Sequence, residues 1–265
     1  MDKTLWVQMT QKEREQILAQ YRMTCDYHTH TIYSHGKGTI EDNVREAVKK
    51  GLKAIGISDH GPGHLTYGLS MKNVPQMKKE IEELQQKYPD IQILLGVEAN
   101  TIMTEPYIDM SMDDCSEFDY IMAGYHYGTR RAATISNYVI THLGIKREKC
   151  SQMLVKNTNM ILNTLYQNEE RNNHISVLTH PGDKGPFDIE DIARACQDTR
   201  TYMEINNRHG HLSVEEIRIA AGFDVKFIIG SDAHSPSDVG GFKKALGRAM
   251  EAGLETDRIV NIEKA

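Results

Sequence analysis

Apolar residues along this chain gather into short runs separated by longer amphipathic stretches. Runs at 23–30, 52–60, 91–99, 118–126, 175–180, 200–206 and 225–232 have the look of strands buried on both faces of a parallel sheet. Helical patterns lie between them. The stretch 39–51 opens on Thr39 and acidic residues and closes on Lys-Lys-Gly, and 74–90 and 188–198 follow the same logic. In 213–222, Ser213 stands three residues before Glu216, the spacing of a capping box. The stretch 137–168 is the longest, and "HLGIKREKC" (142–150) predicts a break into more than one helix. At the start, Ile17, Leu18 and Tyr21 fall at helical spacing, so residues 1–22 read as a polar extension with one short helix. Seven strands alternating with helices predict a single α/β domain over 23–265, either a barrel or a doubly wound sheet.

Composition narrows the picture modestly. A length of 265 residues suits one barrel-sized domain, and 39% hydrophobic residues suffice for its core. The formal net charge of −6 argues against a general affinity for nucleic acid or anionic membrane. Cys25, Cys115, Cys150 and Cys196 lie far apart with no CxxC spacing. With no apolar signal core in the first fifteen residues and no long apolar run, the expectation is a cytoplasmic protein with reduced thiols, off the membrane.

The histidines change the picture most. Seven of the twelve sit in or just after strand C-termini: His28, His30 and His35 after the first, then His60, His126, His180 and His234. Glu98 and Asp232 are placed the same way. A parallel barrel opens all its strand C-termini on one face, so nine residues scattered over two hundred positions would converge. Imidazole mixed with carboxylate suits Zn²⁺, Mn²⁺ or Fe²⁺ better than Mg²⁺ or Ca²⁺. Nine donors exceed one ion's needs and suit two or three ions with a bridging carboxylate. His142 and His174 read as solvated, while His64, His209 and His211 could line a pocket or supply a proton. Asp26 and Asp59, beside candidate ligands, could orient the rings. Arg208, Arg130, Arg131 and Lys184 stand at strand mouths where a cation could grip phosphate.

The ordered set "HTH", "SDHG", "GVEAN", "AGYH", "THPG", "EINN" and "GSDAH" resembles the PHP (polymerase and histidinol phosphatase) family, over nearly the whole chain. It is most similar to the stand-alone bacterial phosphatase branch, near histidinol phosphatase and the small trinuclear-zinc phosphoesterases. The resemblance implies a distorted (β/α)7 barrel, TIM-barrel-like, and three divalent ions, zinc first with Mn²⁺ or Fe²⁺ as alternatives. One ion would use His28, His30, Glu98 and Asp232. A second would use Glu98 as a bridge with His126 and His180, and a third His35, His60 and His234. In many relatives an aspartate stands where His35 is; histidine there matches the zinc-type subset. Catalysis would rest on Glu98, Asp232 and His234, with Arg208, Arg130 and His209 binding substrate. The activity implied is hydrolysis of a small-molecule phosphate monoester, such as histidinol phosphate, by a hydroxide bridging two metals. A homo-oligomer is compatible with this. The competing functions are a nuclease or phosphodiesterase, a non-catalytic metal-binding module, and a related amidohydrolase. The bridging lysine usual in the last is not evident.

Overall fold

The structure, a computed structural model, describes residues 3–130, 137–138 and 151–265. Its strands are β1 (Tyr21–Met23), β2 (Cys25–Asp26), β3 (Ala54–Ile57), β4 (Gln92–Asn100), β5 (Tyr120–Gly124), β6 (Ile175–Leu178), β7 (Tyr202–Asn206), β8 (Phe227–Gly230) and β9 (Ile262–Lys264). Strands β2 to β8 form one seven-stranded parallel sheet in sequential order. The sheet curls until its two edges meet. Thr29 and Ala233 form a parallel bridge there, with His30 N–H donating to the Ala233 carbonyl at 2.8 Å. Below that bridge β2 is too short to continue the ladder. The Asn261 amide spans the seam instead, donating to the carbonyls of Cys25 (2.8 Å) and Ile229 (2.7 Å). The fold is thus a distorted barrel of seven β/α units in a single domain, as the family resemblance implies, and not an open doubly wound sheet.

The described helices are α1 (Lys3–Gln8), α2 (Gln11–Leu18), α3 (Ile40–Lys49), α4 (Val74–Lys87), α5 (Met112–Cys115), α6 (Ser151–Glu170), α7 (Ile189–Thr199), α8 (Val214–Ala220) and α9 (Lys243–Ala252). Local chemistry starts several of them. Thr39 with Asp42 and Ser213 with Glu216 form complete capping boxes, and Asp188 caps α7. The main core lies between the sheet and the helices. A smaller cluster of Met122, Val177 and Ile228, packed with Tyr27, Tyr120 and Tyr202, is separate from it. Gly56 and Gly96 are glycines because a Cβ there would meet the Tyr120 side chain at 1.9 and 2.2 Å.

Each expected strand is present within a few residues. The break expected at 142–150, together with His142, Cys150 and Arg131, lies outside the described residues. Residues 1–22 hold two helices, α1 and α2, and not the one expected, and helix α9 and the antiparallel β1–β9 ribbon were not anticipated. The other three cysteines are free, and no described helix is long and apolar enough to cross a membrane.

Candidate metal centre

Period-two alternation on extended backbone aims alternate side chains the same way. It sends His28 with His30, Glu98 with Asn100, and Glu204 with Asn206 toward the rim where the strands end. Glu98 is the hub. Its Oε1 lies 3.0 Å from His180 Nε2 and 3.4 Å from both His28 Nε2 and His126 Nε2. Its Oε2 lies 3.0 Å from His60 Nδ1 and 3.6 Å from His30 Nε2. Asp232 Oδ1 faces His30 Nε2 at 3.4 Å and His234 Nδ1 at 3.2 Å. His180 and Asp232 both adopt positive φ, at 30° and 52°, a conformation that non-glycine residues seldom keep away from functional sites.

Three groups of donors have ligand atoms within 4.8 Å of one another: His30, His60 and His234; His28, His30 and Asp232; His60, Glu98 and His126. These share His30 and His60, so they form one continuous cluster. His35 is exposed and stands at its edge. Its ring is 5.0 Å from that of His234 and 6.2 Å from that of His60, and stacks on Tyr67 at 4.2 Å. His180 is also outside the three groups, although it touches Glu98.

The donor atoms are fit to hold cations. His28 Nε2, both nitrogens of His30, His60 Nδ1 and Glu98 Oε2 are buried with no hydrogen-bond partner. Each such atom costs about 1–3 kcal/mol unless something takes its lone pair. His30 can offer only one nitrogen, since the other carries its proton. The remaining lone pairs lie within the donor groups and point to divalent ions, imidazole with carboxylate being the donor chemistry of zinc, manganese or iron. The electrostatics agree. Burial opposes the charge on Glu98, but His126 and His28 outweigh it and hold the carboxyl well below its ordinary range. Burial pulls His30 and His126 well below the usual histidine range, toward the deprotonated form that ligates, whereas at His28 the carboxylates of Glu204, Glu98 and Asp232 outweigh burial and hold the ring well above it.

The outward nitrogens of two rings are fixed by residues that sequence reasoning passed over. His28 Nδ1 lies 2.6 Å from Glu204 Oε1, and His126 Nδ1 lies 2.8 Å from Asn100 Oδ1. Glu204 also accepts from the His180 backbone N–H at 2.8 Å and from the Asn206 amide at 2.9 Å. Gly230 makes room for it, since a Cβ there would stand 1.9 Å from Glu204 Oε1. Asp26 and Asp59 do not orient rings. Asp26 accepts the Gly240 N–H (2.7 Å) and Ser231 N–H (3.2 Å), and Asp59 holds Thr31 through its N–H and hydroxyl. They shape the loops that carry the histidines.

The candidate substrate residues separate into two places. The Arg208 guanidinium donates to the Asp232 carbonyl at 3.5 Å. His209 bridges Asp183 (3.3 Å) and Asp232 (3.2 Å). Burial raises Asp183, but Lys184, His180 and His209 overcome this and bring it to about 2. A cavity of about 520 Å³ opens here, lined in part by His35, Arg208, Asp232 and His234. Arg130 lines a different, more apolar cavity of about 490 Å³ with Pro62, Ile102 and Met110. His64 is occupied elsewhere, its Nε2 on the Tyr127 carbonyl at 2.7 Å and its Nδ1 accepting from Thr66. His211 pairs with Glu216 at 2.9 Å, and His174 sits exposed beside Glu169.

The chain is 30% identical over 260 residues to a protein of Thermoanaerobacter sp. (strain X514) named probable phosphatase, with 91% of each chain covered. A Caldanaerobacter subterraneus protein of the same designation is also 30% identical, covering 91% of this chain and 87% of its own. In fold it is similar to histidinol phosphate phosphatase from Lactococcus lactis, solved with zinc, L-histidinol and phosphate. That match has a TM-score of 0.59 at 18% identity and covers 88% of this chain and 95% of the other. The model of the PHP domain matches residues 26–208, and with the metal-donor cluster lying on that stretch and the strand after it, the chain belongs to the PHP domain family.

Proposed function

We propose that the protein is a metal-dependent hydrolase of small-molecule phosphate monoesters, working in the cytoplasm, with residues 23–265 as its catalytic domain and 1–22 as an extension. The observation that carries this reading is the set of buried, unpartnered imidazole and carboxylate atoms around Glu98 and Asp232. The names of the relatives and the zinc, histidinol and phosphate of the Lactococcus protein point the same way.

Divalent ions bound here, three in the full reading, would activate a water and neutralise charge on the phosphoryl oxygens. His28, His30, His60, His126, His180, His234, Glu98 and Asp232 would hold them, with His35 closing the open side. Glu204 and Asn100 keep two of the rings turned inward. Arg208 presents a guanidinium to the phosphoryl oxygens at the cavity wall. His209, held between Asp183 and Asp232, would protonate the departing alkoxide.

The test compares p-nitrophenyl phosphate with bis(p-nitrophenyl) phosphate on protein of measured zinc or manganese content. The expected result is hydrolysis of the monoester, lost on chelation and restored by the metal. Turnover of the diester alone would make the protein a phosphodiesterase or nuclease. No turnover of either by fully loaded protein would make it a non-catalytic module.

A further inference from the structure

Resting on the phosphomonoesterase reading, we propose that the cavity beside the metal centre selects substrates carrying a second anionic group, a carboxylate or another phosphate, on the leaving-group side. The cavity of about 520 Å³ is lined by Asp232 and His234 of the donor cluster and by His35 at its edge. Three further lining residues, Lys37, Arg208 and Lys244, come from three separate segments. Each is rooted beside the centre. Lys37 N–H donates to the His234 carbonyl at 2.9 Å, Arg208 reaches the Asp232 carbonyl, and Lys244 N–H donates to Asn207 Oδ1 at 3.0 Å.

None of these three cationic heads has a carboxylate partner among the described residues. Lys50 lines the same cavity but is taken up, its ammonium donating to the carbonyls of Ser237 (2.9 Å) and Val239. Asp238 is the one carboxylate of the lining outside the donor cluster. The ester phosphate is already served by the metal cluster and Arg208. Lys37 and Lys244 therefore have no anion to meet unless the rest of the substrate brings one. On a chain of net charge −6, a locally cationic wall also draws anions selectively. A leaving group bearing an amine would be opposed by the same wall. Both lysines are exposed, so the effect must weaken with salt, the screening length being about 8 Å at 0.15 M.

The experiment uses zinc-loaded full-length protein and two matched pairs of esters: glycerol 3-phosphate with 3-phosphoglycerate, and fructose 6-phosphate with fructose 1,6-bisphosphate. The doubly anionic member of at least one pair should have a kcat/KM about tenfold higher, beyond the statistical factor of two for the bisphosphate, from two lysine contacts. The preferred pair tells a carboxylate site from a phosphate site. In a Lys37→Ala/Lys244→Ala double variant with unchanged zinc content, that ratio should fall to about one, and in the wild type it should shrink with added salt. Equal kcat/KM within both pairs, or a preference that survives the double substitution, overturns the subsite. Failure to hydrolyse any of the four esters overturns the phosphomonoesterase reading instead. Calorimetric binding of the same compounds then reads the subsite, with the same tenfold ratio expected and equal affinities contradicting it.

Discussion

Glu98 gathers five imidazoles because it is a fully buried carboxylate at the rim, and its own Oε2 and nitrogens of His28, His30 and His60 have no hydrogen-bond partner. The donors themselves were legible from the sequence, because each follows a strand and strands of a parallel barrel end on one face. What orients them was not legible. Glu204 meets His28 across 176 residues, and nothing local in "EINN" announces that contact. Asp59 looked better placed by adjacency to His60, yet adjacent residues on extended backbone point to opposite faces, and Asp26, two residues before His28, is taken up by the N–H groups of Ser231 and Gly240. Glu204→Gln should test the role. The amide cannot accept from both the His28 ring and the His180 backbone with the same charge, so zinc affinity should fall about 10–100-fold. Chelator competition on folded protein measures it, and unchanged affinity would remove Glu204 from the site's support. Arg208 and Arg130 could not be ranked from sequence either, since each follows a strand; only the fold separates them into two cavities.

The strands were readable because parallel-sheet strands are short and apolar throughout, and the helices because their first turns carry their own caps. Thr39→Ala should therefore cost about 1 kcal/mol of stability with metal content intact, the ordinary loss of an N-cap. Urea unfolding followed by circular dichroism measures this, and no loss would mean that α3 is held by packing alone. Helix α9 was overlooked although Ala245, Leu246, Ala249 and Met250 carry a helical stripe, and all four are buried. The β1–β9 ribbon could not have been read locally. Its register joins Tyr21 to Lys264, and neither three-residue strand has a pattern of its own.

At the scale of the molecule, the two ends of the chain are tied together away from the metal centre. Helices α1 and α2 pack on α9, Trp6 is 2% exposed, and Arg14 donates to the carbonyls of Trp6 and Val7. Trp6→Ala should destabilise the protein by about 3–5 kcal/mol, the range for emptying a buried aromatic site. Zinc content should stay at the wild-type level, since neither Trp6 nor the helices around it supply a donor. Denaturant titration and elemental analysis together decide this, and a parallel loss of zinc would show the two regions to be coupled. The central claim concerns the rim itself, where residues from the ends of six strands must hold metal together. Diffraction from zinc-loaded crystals collected on both sides of the zinc absorption edge tests it most directly. The account predicts anomalous peaks, three in the full reading, among His28, His30, His60, Glu98, His126, Asp232 and His234. A map with no peak there, from protein shown to contain zinc, would contradict it.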